Sequence, residues 1–392
     1  MILDLSSFIA SHEAELIHLR RHLHAHPELG RAERETTALV ARRLEAAGLR
    51  PRLLPKGTGL TCDIGDGVGP VVGLRADIDA LPLQDEKDVA YRSTVPGVCH
   101  ACGHDVHTTM LLGAGLALAE HAADLRGKVR LVFQPAEEKN PGGALDVIEA
   151  GAVDGVAAIF ALHCDPKVDV GRIGTRVGPI TAASDLFEVR LTGPGGHTAR
   201  PHLTADLTYI VAKLITELPA ALSRLVDPRA TLTVSFGSVQ SGTVANVIPT
   251  SALARGTVRV LDRNTWGDAP KLLERVLEAV VAPYSVDYQL GYHRGSPPVV
   301  NDEAATVVLS NAARIAIGPE AVLSAPQSMG GEDFSWYLET IPGSMGRLGV
   351  RIPGTDLDIH AAHFDVDERS IAVGVRILAQ AAVDALEHYA KA

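Results

Sequence analysis

Val129-Arg-Leu-Val-Phe133-Gln134-Pro135-Ala136-Glu137-Glu138 is the stretch on which the reading of this chain turns. A short apolar run rich in β-branched residues predicts a buried strand, and Pro135 punctuates its end. Two carboxylates follow at once. Adjacent side chains at a strand end tend to point to opposite sides, so one can bind a cation while the other faces a bound water. A surface Glu-Glu pair is common and means little alone; directly behind a buried strand it gains a chemical reading. Two further runs end the same way. Val71-Val-Gly-Leu-Arg-Ala76 leads into Asp77-Ile-Asp79, and Ala157-Ala-Ile-Phe-Ala-Leu162 leads into His163. Helical spacing separates the runs, with Met110, Leu111, Ala114 and Leu118 on one face of a predicted helix over 106–123, and another over 144–150. This alternation predicts an α/β fold with a mostly parallel sheet and helices on both faces. Ligands bind such sheets outside the carboxyl ends of the strands, which is where Asp77, Glu137, Glu138 and His163 fall.

His100-Ala-Cys102-Gly-His104-Asp105-Val-His107 brings three imidazoles, a thiol and a carboxylate into eight residues. On a regular helix Cys102 and His104 would diverge; on a tight loop they converge on one cation, and both suit zinc-like metals. A single loop histidine or cysteine would carry no such meaning. Here the strand-end acids supply further ligands, and the cluster reads as a metal site.

Residues 7–49 predict two helices, broken by His24-Ala-His-Pro-Glu-Leu-Gly30. Beyond Ala182 the character changes. Leu186–Leu191 and Thr231–Phe236 alternate polar and apolar residues, as strands with one wet face do. With helices over 204–218 and 267–282 and strands over 252–260 and 285–291, the order is β-α-β-β-α-β. Gly178-Pro179 and Gly295-Ser-Pro-Pro298 read as hinges. The expected organisation is a catalytic domain of residues 1–180 and 298–392, interrupted by a smaller α+β lid or dimerisation domain at 181–297. The chain returns with a helix over 302–317, loops around Glu332 and His360, and a helix from Ser370 to the end.

Lys and Arg total 36 against 47 Asp and Glu, a net charge of −11. Nucleic-acid binding needs clustered positive charge, so that class is set aside. Four cysteines at 62, 99, 102 and 164 do not form a secreted disulfide framework. No basic leader precedes an apolar core at the amino terminus, and no apolar stretch is long enough to span a bilayer. The expectation is a cytoplasmic protein with reduced thiols.

His24-Ala-His-Pro-Glu-Leu29, Arg75-Ala-Asp-Ile-Asp-Ala-Leu-Pro82, His100–His107, Gln134–Glu138, Gly193-Pro-Gly-Gly-His197, Asn246-Val-Ile-Pro249, Gly256-Thr-Val-Arg259 and Gly331-Glu-Asp-Phe334 follow one another in order. Through these motifs, nearly end to end, the chain resembles the M20 metallopeptidase superfamily in its aminoacylase and amidohydrolase branch, which includes hippurate hydrolases and hydrolases of indoleacetyl-amino acids. The resemblance implies two divalent ions per chain, of zinc, manganese, cobalt or nickel. It implies Cys102 as their bridge, His104 and His163 completing one site, Glu138 and His360 the other, and Glu137 as general base. It also implies a homodimer in which His197 acts at the partner's site, with Asn246, Arg259 and Glu332 contacting substrate. Cys99 and Ala362 depart from the family's usual Met and Pro, each beside an implied ligand.

The reading is a di-metal amidohydrolase that cleaves N-acyl-amino acids. A dipeptidase or carboxypeptidase of the same superfamily is the nearest alternative. A metal-binding homologue without catalysis and a cysteine hydrolase using Cys102 and His104 come from other classes; an intact Glu137 argues against the former, and insensitivity to chelators would be needed for the latter.

Overall fold

In a computed structural model, which describes residues 1–65 and 68–390, the chain divides into two compact units. The first comprises Met1–Gly178, Val300–Pro326 and Asp333–Ala392; the second comprises Pro179–Val299 with Gln327–Glu332.

The first unit is built on an eight-stranded sheet in the order Arg52–Leu53, Leu60–Ile64, Lys128–Gln134, Val71–Asp77, Val156–Asp169, Gly343–Arg351, Ile173–Thr175, Val322–Ser324. Its four central strands are parallel, with Asp77 opposite Gln134 and His163 opposite Arg347. The expected α/β fold with a largely parallel sheet is therefore present, and each of the three predicted strands is found and is longer than predicted. Gly343–Arg351 escaped prediction because its glycines erase any hydrophobic period. Those glycines are needed: a Cβ at Gly343 would lie 2.3 Å from the Ile159 carbonyl oxygen.

Helix His104–Glu120 is buried along nearly its whole length, as a helix apolar on all sides must be. It starts two residues before the predicted onset at Val106 and ends at Glu120 rather than Ala123. His104 thus opens the helix instead of lying in the loop. Gly103 precedes it at φ 90°, and a Cβ there would meet Cys164 Sγ at 2.8 Å. The carboxyl-terminal helix, Arg369–Tyr389, packs alongside; residues 391 and 392 of the predicted helix lie outside the described residues.

The second unit follows the order read from the sequence. Its antiparallel sheet runs Thr233–Ser241, Ser251–Val260, Ala183–Thr192, Asp287–His293. Helices Leu207–Leu225 and Arg263–Val281 bury Leu214, Leu218, Leu222, Leu273 and Leu277 in a core with Phe187, Val189 and Leu191. The sequence ends the first of these helices before Pro219. It runs through the proline because Leu222, four residues beyond Leu218, keeps the buried face continuous. Among the described residues, no helix is long and apolar enough to cross a membrane.

An ionic knot ties the amino-terminal helix, Ser6–Ala25, to the first unit's core. Arg20, only 1% exposed, donates to Asp105 at 2.8 Å, Asp365 at 2.9 Å and Glu368 at 3.3 Å. His24 meets the same Asp105 carboxylate at 2.7 Å. Burial alone would raise the Asp105 carboxyl, but Arg20 and His24 hold it well below the usual range. Removing one partner of a buried pair strands the other charges, so Arg20→Leu should destabilise the protein by about 3–5 kcal/mol. Equilibrium chemical denaturation checks this; a loss well under about 1 kcal/mol, the scale of an exposed pair, would show that the knot does not bear on stability.

Candidate metal centre

Asp79, two residues past the strand Val71–Asp77, gathers the pieces. Its carboxylate accepts the backbone N–H of Glu137 at 3.1 Å and of Glu138 at 3.0 Å. His104 Nδ1 lies 2.9 Å from the Asp79 carbonyl oxygen and 3.2 Å from its Oδ1. Both are acceptors, so Nδ1 carries a proton and Nε2 presents a lone pair to the cluster. That Nε2 is buried and has no hydrogen-bond partner. His163 is set in the same way. Its Nδ1 donates to the Cys164 carbonyl at 2.8 Å, which turns Nε2 towards Cys102 Sγ at 3.5 Å.

Two donor groups emerge, each with its ligand atoms within 4.8 Å of one another: Cys102, His104 and His163, and Cys102, Glu138 and His360. Cys102 belongs to both. Glu138 Oε1 is 3.9 Å from His104 Nε2 and 3.1 Å from His360 Nε2. Ligands bound to one zinc-like ion at about 2.0–2.3 Å stand roughly 3.3–3.8 Å apart; Cys102–His163 at 3.5 Å falls in that range and Glu138–His360 at 3.1 Å lies just below it. A thiol, three imidazoles and a carboxylate form a donor set suited to zinc, manganese, cobalt or nickel. His360 is held at φ 60° and its amide donates to the Ala101 carbonyl at 2.6 Å, which ties its loop to the Cys102 segment. Glu137 joins His104 and Glu138 in a third donor group, and the Asp333 amide meets its Oε1 at 3.4 Å.

The electrostatics favour a cation. Burial pushes the Cys102 thiol up, so a thiolate here needs a positive partner. Burial works against a charged His104, but Asp77, 3.7 Å from Nε2, together with Cys102 lifts it well above its ordinary value. The pocket thus favours positive charge at that nitrogen. Burial, and then Arg347, hold His163 well below its ordinary value, which keeps it a neutral donor.

Two details differ from the sequence reading. His163 does not follow its strand but lies inside it, because the strand runs on to Asp169. The sequence places Asp77 among the strand-end acids that face the candidate ligands. Asp77 instead binds His107 Nδ1 at 2.5 Å and Arg75 at 2.7 Å, and Asp79 orients His104. His107 Nε2 accepts the Cys164 amide at 2.8 Å, so both of its nitrogens are engaged within the protein. Asp79 lay within the same motif as Asp77, but nothing in that motif tells which acid faces which imidazole.

His197, Asn246, Arg259 and Glu332 belong to the second unit. His197 pairs with Val247 in a two-stranded ladder, and Thr198 N–H donates to the Asn246 carbonyl at 3.2 Å. The His197 side chain is exposed, and its Nδ1 accepts the Ala199 amide at 3.0 Å, leaving Nε2 as the protonated nitrogen. Arg259 donates to the Met329 carbonyl at 3.2 Å, in the loop that carries Glu332.

Comparison with known proteins points to one family. Residues 73–384 match the model described as peptidase family M20/M25/M40. An N-acetyl-L-cysteine deacetylase of Bacillus subtilis is 41% identical over 92% of this chain and 85% of its own length. The chain spans 46% of a Rhodococcus jostii protein named putative glutamate–cysteine ligase 2-3, at 50% identity over 93% of this chain. The crystal structure of the Bacillus subtilis YXEP protein, described as a dinuclear metal binding peptidase from M20 family, superposes with a TM-score of 0.86 at 37% identity, covering 96% of this chain and 99% of the other.

Cys102 is the donor common to both groups, so its removal should weaken both. Cys102→Ala should retain fewer ions per chain than wild type in elemental analysis after dialysis. Unchanged occupancy would rule out the shared role.

Proposed function

The chain belongs to peptidase family M20/M25/M40, and from that premise we propose a two-metal amidohydrolase that splits N-acyl-amino acids into a carboxylic acid and a free amino acid. The observation that carries this reading is the pair of donor groups sharing Cys102, with the Glu137 carboxylate beside them. Cys102, His104 and His163 would hold one divalent ion, and Cys102, Glu138 and His360 would hold a second. When bound, such ions polarise an amide carbonyl and acidify a water. Glu137 takes the proton from the attacking water and delivers it to the leaving nitrogen. The similarity to an N-acetyl-L-cysteine deacetylase supports an acylated amino acid as substrate. All four cysteines are free, in keeping with a reducing, cytoplasmic setting.

In this reading residues 181–297 form a lid and dimerisation domain within a catalytic domain of 1–180 and 298–392. The enzyme is a homodimer, and the partner subunit's His197 hydrogen-bonds the developing oxyanion. An exposed Nε2–H on His197 is the donor this role requires. Asn246, Arg259 and Glu332 hold the substrate, with Arg259 a natural partner for its carboxylate.

Three measurements test the proposal. N-acyl-amino acids should be cleaved by the metal-loaded enzyme and the corresponding unblocked dipeptides far less; the reverse preference would favour the dipeptidase reading. Glu137→Gln should keep its metals and fold yet lose about 10²–10⁴ in turnover; loss of metal in this variant, with metal kept in Glu138→Gln, would reverse the two roles. His197→Ala and Glu137→Ala should each be nearly inactive alone. Refolded together they should regain activity, because one site of a mixed dimer carries both lesions and the other carries neither. Background activity from mixed dimers verified by tag pull-down would remove His197 from the neighbouring site.

A further inference from the structure

We infer that Glu33 is a positioning residue for the Glu137–Glu138 pair, acting by clamping the backbone amide of Ala136. The inference rests on the amidohydrolase reading for its kinetic consequences, but the clamp is a feature of the fold.

Glu33 is 0% exposed. It stands at the amino-terminal cap of helix Arg34–Ala46, yet its side chain makes no capping bond there. Oε1 instead accepts the Ala136 N–H at 2.7 Å, across 103 residues of sequence. Oε2 has no hydrogen-bond partner. A buried carboxyl with one oxygen unsatisfied is costly. Besides the nearby backbone amides of Glu33 and Arg31, the Ala136 amide is the partner it reaches on a distant element.

Ala136 explains why that amide needs holding. It lies at φ 55°, a left-handed conformation that a residue bearing a Cβ adopts only against steric cost. Such strain persists where the surroundings over-determine it. Here Glu33 holds the N–H and the Gly143 amide donates to the Ala136 carbonyl at 2.9 Å. Gly143 must be glycine, since a Cβ there would lie 1.7 Å from the Pro135 oxygen. The next two amides are held by Asp79. The turn from strand Lys128–Gln134 into Glu137 is thereby fixed residue by residue, and with it the direction of the base and of its neighbour. If Ala136 relaxed to a right-handed conformation, the backbone entering Glu137 would swing and both carboxylates would leave their places. Burial also lifts the Glu33 carboxyl above its usual range, so a neutral amide of the same shape is a fair replacement.

Four variants separate positioning from plain structural support. Glu33→Leu removes the acceptor and should lower kcat by about 10²-fold, the cost of a misplaced catalytic group, with KM little changed. Glu33→Gln keeps an acceptor and should stay near wild type. Glu33→Asp, which retracts the acceptor by one methylene, should share the kcat loss and serves if Glu33→Leu does not fold. Adding Ala136→Gly to either impaired variant should recover about tenfold, because glycine occupies the left-handed region without penalty. Hydrogen exchange of the peptide over 134–138 gives a reading without substrate: it should quicken in Glu33→Leu and not in Glu33→Gln. Wild-type turnover tests the amidohydrolase reading by itself, so the two failures stay distinct. The inference is overturned if exchange over 134–138 is unchanged in both acceptor-removing variants. It is equally overturned if Ala136→Gly deepens their loss, or if their loss merely tracks the fraction of folded protein.

Discussion

The Asp79 carboxylate, 1% exposed, accepts two backbone amides and faces the Nδ1 of His104. The placement of His104 and of the Glu137-Glu138 turn depends on that exchange. A carboxylate taken out of water must be satisfied by hydrogen-bond donors. Here the donors come from two segments that also carry candidate metal-binding groups. The Glu137-Glu138 turn is fixed through its amides. His104 is fixed through Nδ1, which leaves Nε2 to face Cys102 and Glu138. One buried acid thus sets the tautomer of His104 and the backbone of Glu137 and Glu138 together, a shared supporting layer of the kind that tunes metal sites generally.

Beneath this lies a second layer that holds the supporting elements still. Asp105 follows His104 in the same helix and is locked by Arg20 and His24 from the amino-terminal helix. Arg20 also reaches Asp365 and Glu368, just past the His360 loop. The helix that opens with His104 and the segment that follows His360 therefore share one buried guanidinium. The geometry of Arg suits this task, since its planar fork serves several carboxylates at fixed angles. Such networks are weak evidence for stability and better evidence for a unique arrangement, which is what a site assembled from separate segments requires.

Much of this was legible in the sequence, for identifiable reasons. The runs before Asp77, Glu137 and His163 are apolar with abrupt polar ends, and parallel sheets bury such runs on both faces. Cys102 and His104 stand out because a thiol and imidazoles crowd into eight residues. Other features left no local trace. Gly343–Arg351, a central strand, carries glycines where side chains would collide, so the signal that marks a strand was absent by necessity. Whether Asp77 or Asp79 serves His104 depends on how the chain turns after the strand, which two acids spaced two apart do not disclose. Glu33 acts on a residue 103 positions away, a distance at which no pattern along the chain operates. The readable part was the part made by periodicity and composition; the part made by long-range hydrogen bonds required the fold.

The central claim is that one thiolate, that of Cys102, joins two metal ions. X-ray absorption spectroscopy at the metal edge of the loaded protein addresses this without any assay. The account predicts a sulfur scatterer at about 2.3 Å and a second metal at roughly 3.5–4 Å, with both features lost in Cys102→Ala. A spectrum fitted by nitrogen and oxygen alone, with no second metal, would contradict it.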